Sequence, residues 1–440
     1  MEPRHAGILQ TRRRCPRKTM ETFPKIPEPV ILEHQIAEMM QDQKRVGWPF
    51  DVRKAQELEN TLMTKLESLR AQAGRLCRYV PGNTFIPKRD NKTQGYVAGA
   101  EMQRLKDFNP SSRDHVSWLL QQKGWTPSKL IATGKAVIDE VVLKEIGTEE
   151  ALLFLGILET QKKLGMLSQG NNAWLKLVKN GRLHHSCFIG ASTHRMAHAK
   201  PNLAQVSSDT DCRELFITKP GWKLGDSDRA GIELRMFAQY LARYDGGRYA
   251  DVLLNGDIHQ ENADKIGISR KLVKTVTYAF LYGAGDRKIG RSYESSLSED
   301  AAAAKGKEIR KAYLDAIPGL DKLVKATKEV SKSGRIRGID GRYILVDSGH
   351  KSLNFLLQGS AATIAKRWLV LTDTCLKGFN FKHERYAFIH DEQVIGCPPS
   401  SSELVAKACK DSAKFAGEYY KIRLPIEADA NIGDNWAEVH

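Results

Sequence analysis

Apolar positions recur at helical spacing through most of the first 170 residues. Residues 31–47 read as one helix stopped by Gly47. Asp51 can cap a second, whose Leu58, Leu62, Leu66 and Leu69 fall on one face, with Gly74 as its expected end. Residues 78–107 are basic and turn-rich, which predicts an exposed loop. A third helix is expected from Asn109-Pro110, with Asn as cap and Pro in the first turn, and a fourth over 149–167. No internal repeat interrupts this largely helical part.

The pattern changes after residue 177. Residues 222–227 read as a short strand ending at Asp228, and helices are expected over 232–244 and 270–282. Around Asp340-Gly341 the sequence predicts a hairpin with a two-residue turn. A helix over 352–376 precedes strands at 386–389 and 393–395, which flank His390-Asp391-Glu392. A helical first part followed by a sheet with helices predicts an α+β chain.

The length of 440 residues allows two or three packed units, and 41% hydrophobic with 27% charged residues marks a globular chain. No run approaches the roughly 18 to 20 apolar residues of a membrane span, and the N-terminus lacks the apolar core of a secretion signal. The seven cysteines are scattered and never form C-x-x-C, which predicts a cytoplasmic setting without disulfides or structural zinc. The net charge of +16 predicts a polyanionic partner. Residues 1–19 supply +5 of it (six basic residues against Glu2) and read, within a leader over 1–30, as a tail outside the fold, with Met20 an alternative start.

Taken alone, Asp391 is a charged turn between apolar strands, and Asp228 is a strand-end carboxylate able to cap the next helix. The segment Arg270-x-x-x-Lys274-x-x-x-Tyr278-x-x-x-Tyr282-Gly283 says more. Steps of four keep its side chains on one slowly drifting helix face. Two stacked cations followed by two aromatic rings fit the phosphates and the base of a nucleoside triphosphate. Upstream, Asp257-Ile258-His259 adds a phosphate donor.

These segments resemble the motifs of family A, DNA polymerase I-like, enzymes. Residues 228–235 (DRAGIELR) are similar to motif A, 270–285 (RKLVKTVTYAFLYGAG) to motif B, and 388–396 (FIHDEQVIG) to motif C. Further similarity lies at 109–115, 194–206, 256–259, 353–362 and 435–440, and the order is most like that of polymerases from short-tailed bacteriophages. The resemblance implies a right-hand fold with the thumb over 31–177, the palm over 178–240 and 354–440, and the fingers over 241–353. It implies that Asp228, Asp391 and the backbone carbonyl of Arg229 hold two magnesium ions, for which manganese can substitute. His259, Arg270 and Lys274 would hold the incoming triphosphate, with Lys274 also a proton donor to pyrophosphate. Tyr278 would stack near the new base pair, and Glu233 would exclude a ribose 2′-hydroxyl. Arg195, His350, Asn354, Gln358 and His390 would contact primer and template, with Tyr282 shaping the template side and Glu392 an accessory acid.

The implied partners are primer-template DNA and dNTPs in a host bacterial cytoplasm, together with a separate exonuclease, helicase-primase or processivity factor. No Asp-x-Glu precedes Asp228, which predicts synthesis without intrinsic proofreading. The basic stretch 78–107 is much shorter than the thioredoxin-binding loop of phage relatives, which argues against that partner. Arg229 stands where relatives have a small residue, a change that a carbonyl ligand tolerates. Two alternatives are a non-catalytic DNA-binding replisome subunit and a single-subunit RNA polymerase. The intact Asp228, Lys274 and Asp391 argue against the first, and Glu233 with Tyr282-Gly283 against the second.

Overall fold

The computed structural model describes residues 26–440 except 128, 129, 132, 230, 295, 296 and 380, so the basic residues 1–19 lie outside the described residues. Helix α1 (Glu28–Val46) buries Leu32, Ile36, Met39 and Met40 on one stripe and ends at Gly47, whose φ of 69° suits glycine. Asp51 caps α2 (Val52–Leu76) by accepting the Lys54 N–H at 2.9 Å. That helix runs past Gly74. One glycine costs about 1 kcal/mol in a helix, too little to end one whose Ala73 is buried.

Most of residues 78–107 are exposed as expected, but they form an antiparallel ribbon of β1 (Tyr79–Phe85) and β2 (Met102–Asp107). Pro81 and Gly82 lie where the register shifts, a position that tolerates both types. Helix α3 (Arg113–Gln122) starts later than expected. Ser112 caps it, while Asn109 accepts the Ser111 N–H in a turn ahead of it. Helices α4 (Glu140–Ile146) and α5 (Glu149–Leu164) follow.

A short pair, β3 (Ser186–Ile189) with β4 (Met196–Ala199), leads to β5 (Lys223–Arg229). Helices α6 (Ile232–Asp245), α7 (Arg248–Asn255), α8 (Ile258–Ile266), α9 (Arg270–Leu281), α10 (Asp286–Tyr293), α11 (Glu299–Ala316) and α12 (Leu320–Ser331) come next. The expected hairpin is present as β6 (Arg335–Arg337) and β7 (Tyr343–Leu345), but its turn is longer than two residues. Gly338 N–H donates to the Arg342 carbonyl and Gly341 N–H to the Gly338 carbonyl. Arg342 is pinned there by Asp340 at 2.7 Å and by Glu33 of α1.

Helix α13 (Ser352–Gly378) is buried along most of its length. Strands β8 (Glu384–Ile389) and β9 (Glu392–Cys397), helix α14 (Ser402–Tyr419), β10 (Ala428–Gly433) and α15 (Trp436–Val439) complete the chain. The central sheet is antiparallel in the order β8-β9-β5-β10. Alternation along β9 covers both faces. Val394 joins Tyr386, Leu224, Trp48 and the α2–α5 core, while Ile395 and Cys397 join the core of α6, α13 and α14. On the flank, α1 packs against Ala365, Leu369 and Val370 of α13 and Phe388 of β8. Its Glu33 pairs with the buried Lys366 of α13 at 2.7 Å.

Candidate active site

Strand pairing joins the two distant carboxylates. Ile389 faces Glu392 across a two-residue turn, so His390 and Asp391 stand at the tip between β8 and β9. Glu392 in turn pairs with Asp228 at the end of β5, which brings Asp391 beside Asp228, and Asp429 of β10 flanks Asp228 on the other side. His390 has φ of 55°, a left-handed conformation costly for a side-chain residue and often kept at functional turns.

Asp228 keeps solvent access, yet the protein packed round it and then the Asp391 charge raise its pKa to about 6. The Arg229 N–H, donating to Asp228 Oδ1 at 2.8 Å, opposes that rise. Asp228 is not the cap of α6, which Gly231 starts in a left-handed conformation. Arg229 turns its side chain inward. Its guanidinium lies 5.4 Å from the Trp368 ring and donates to the Ala361 carbonyl at 3.4 Å, within the field of Asp391, Glu233 and Asp228.

Glu233, in the first turn of α6, links this sheet end to α9. Its Oε1 accepts from Arg195 at 2.5 Å and from the Tyr282 hydroxyl at 3.1 Å. Arg195, Arg229, His390 and Asp391 line one recess against Ala361, Ala362 and Ala365 in the middle of α13. Burial and Arg195 lower the His390 pKa, and burial with the Glu233 charge pushes Tyr282 up to about 12.

The four-residue strip lies along α9 as the spacing predicts, with Tyr282 as its C-cap and Gly283 at φ of 71°. Ser269 caps the other end by accepting the Leu272 N–H. Lys274 is exposed and has no ion pair or hydrogen bond among the described residues. Arg270 is held instead. Its Nε donates to Asp257 Oδ2 at 2.6 Å, while Asp257 Oδ1 caps α8 through His259 and Gln260 N–H. The Tyr278 ring lies 6.3 Å from His259 and 6.4 Å from Tyr282. His259 is buried, its Nδ1 has no hydrogen-bond partner among the described residues, and burial lowers its pKa.

Asn354 of α13 donates to the Leu281 carbonyl at 2.9 Å and lines a cavity with Gly283 and His350, next to the end of α9. His350 shares a hydrogen bond with the Ser348 hydroxyl, and Gln358 is half-buried on α13.

Sequence reasoning missed Asp226, Asp429 and His440. Asp226 and Asp228 are two apart on a strand and share a face, so the spacing Asp-Ser-Asp was a readable signal. Asp226 is buried beside Glu392, and burial holds both above the ordinary carboxylate range, Glu392 adding to the rise of Asp226. Glu392 also accepts the Trp436 indole N–H at 2.6 Å. Asp429 and His440 are paired only through the fold, and nothing in their spacing marks them.

A family profile described as DNA polymerase family A matches residues 91–438. The chain is 32% identical to the DNA-directed DNA polymerase of Escherichia phage T7 and 31% to that of Enterobacteria phage T3, in each case over 94% of this chain and 70% of the relative. A solved structure, the POL domain of Pol1 from M. smegmatis in complex with DNA primer-template and dNTP, superposes with a TM-score of 0.72. That match has 17% identity and covers 91% of this chain and 69% of the other, which shows a shared right-hand fold.

Proposed function

The chain belongs to DNA polymerase family A, and from that premise we propose that it extends a primer 3′ end with dNTPs as a template directs, by nucleotidyl transfer at Asp228 and Asp391. The observation that carries this reading is the register Glu392 to Asp228, which puts the two carboxylates side by side on adjoining strand ends. In the same reading the thumb is drawn from 31–177, the palm from 178–240 and 354–440, and the fingers from 241–353.

The donor set fits a hard divalent cation. Two carboxylates converge, and a dication between them would offset both the burial and the Asp391 charge that raise Asp228. Asp228, Asp391 and the Arg229 carbonyl would hold two magnesium ions, replaceable by manganese, which when bound activate the primer hydroxyl and neutralise the leaving pyrophosphate.

The remaining work falls to the side chains, because phosphoryl transfer needs positioning and charge neutralisation more than covalent help. Lys274, with no partner to release among the described residues, meets the triphosphate and can give pyrophosphate a proton. Arg270 joins it by exchanging Asp257 for phosphate, and His259 donates beside them. The Tyr278 ring offers the base a stacking face. Glu233, fixed by Arg195 and Tyr282, closes the space where a ribose 2′-hydroxyl would lie. Arg195, His350, Asn354, Gln358 and His390 line the path of primer and template.

Primer extension tests this directly. Templated incorporation of dNTPs with poor use of rNTPs is expected. Extension with rNTPs alone would identify an RNA polymerase, and primer-template binding without extension a non-catalytic subunit. Since no Asp-x-Glu precedes Asp228, a mismatched primer end incubated with the chain and magnesium should stay intact. Degradation that persists in Asp228→Ala and Asp391→Ala would reveal a nuclease centre.

A further inference from the structure

We propose that Asp226, Glu392 and His440 form a third cation site, distinct from the Asp228–Asp391 pair, that takes a divalent transition-metal ion and ties β5, β9 and the residue after α15 together. One ligand atom from each of the three lies within 4.8 Å of the other two. His440 Nδ1 is 3.9 Å from Asp226 Oδ2 and 3.8 Å from Glu392 Oε1. Ions of this class bind carboxylate oxygen and imidazole nitrogen at about 2.0 to 2.2 Å, so they span ligand pairs up to about 4 Å apart. The observed spacings therefore need little adjustment.

The independent sign of a ligand is Asp226 itself. It is 3% exposed, its Oδ2 faces His440, and its Oδ1 accepts no hydrogen bond among the described residues. A buried, unpaired carboxylate oxygen is costly unless something positive meets it. Arg213 supplies part of that charge, since its guanidinium lies 4.9 Å over the Trp436 ring within the field of both carboxylates. One arginine against two carboxylates leaves a negative charge that a dication offsets. Trp436, which donates to Glu392 Oε1, fixes that carboxylate toward His440. An imidazole beside two carboxylates favours manganese, cobalt or zinc over magnesium. A proton shared by the carboxyls is the competing arrangement, and it gives His440 no role.

The site is separable from catalysis, because it is measured in protein whose Asp228 and Asp391 are both alanine. The experiment titrates Mn2+ into that double variant and counts bound ions by electron paramagnetic resonance. One ion per chain is expected, with nitrogen coupling from the imidazole, and Zn2+ should displace it. Adding Asp226→Asn or His440→Ala should abolish binding. His440 is exposed, so His440→Ala keeps the fold and decides the matter if Asp226→Asn does not. Absence of a bound ion in the double variant, an ion without nitrogen coupling, or one retained after His440→Ala would each overturn the proposal. Failure here would leave the polymerase reading intact, whereas loss of primer extension in the wild type would not touch this site.

Discussion

The strand ends around Asp228 and the outer face of α9 carry opposite charges and are built in opposite ways. At the strand ends, sheet register fixes every acidic group. Asp228 faces Glu392 on one side and Asp429 on the other, and like charges stay close because the backbone holds them there. On α9 the cations are exposed on a helix surface. Among the described residues Lys274 has no ion pair or hydrogen bond, and Arg270 is paired with a surface carboxylate that a ligand can replace. The difference separates two tasks. Metal chemistry tolerates little displacement of its ligands, so it rests on paired strands, whereas nucleotide capture benefits from groups free to close on phosphate.

The largest expected effect breaks the rigid side of this comparison. Asp228→Ala or Asp391→Ala should lower primer extension by several orders of magnitude, drawing on the order of 8 kcal/mol or more that such catalysis supplies. Binding of primer-template should persist, as measured by fluorescence anisotropy.

The next prediction concerns exposed cations in general. With about six to ten phosphate contacts, primer-template affinity should fall on the order of a thousandfold between about 50 and 200 mM salt. An affinity almost independent of salt would place the basic surface away from DNA.

A smaller effect rests on one hydroxyl of α9. A dideoxynucleotide lacks the 3′-hydroxyl, and the Tyr278 phenol can satisfy the polar groups left behind. An unpaired group of this kind costs roughly 1 to 3 kcal/mol, or about five- to 150-fold in selectivity. Wild type should accept dideoxynucleotides readily, and Tyr278→Phe should reject them while using dNTPs well. The ratio of dNTP to ddNTP incorporation efficiency in the two proteins measures this.

The smallest effect reports the crowding at Asp228 without catalysis. Its folded pKa of about 6 is raised, so its charge costs stability at pH values above that and costs nothing once pH falls below the ordinary carboxylate value of about 4. Metal-free Asp228→Asn should therefore melt higher than wild type at pH 8, and the gain should disappear as pH falls from about 6 to about 4. Solvent access at Asp228 keeps this gain small.

The α9 face was legible in the sequence because a period of four is local, and one helix carries it. Asp228 and Asp391 were legible as strand ends, and the family resemblance pointed to their partnership. Asp429 and His440 were not, since strand order and the fold of the C-terminal residues decide what they meet. The ribbon at 78–107 was misread as a loop because Pro81 and Gly82 mark turns and bulges alike. The later start of α3 has a similar cause. Asn109 and Ser112 both make side-chain turns, and only the helix hydrogen bonds distinguish the cap. The hairpin at Asp340-Gly341 has a longer turn than the two residues expected, because Gly338 pairs with Arg342, which is held by Glu33 across distant sequence.

The central claim is that Asp228 and Asp391 act as one unit because strand pairing joins them. Single-turnover primer extension by wild type, each alanine variant and the double variant tests it most directly. Groups that work together are non-additive, so the double variant should lose no more activity than the worse single variant. Losses that multiply in the double variant, or a single variant that keeps more than a few per cent of wild-type rate, would contradict the account.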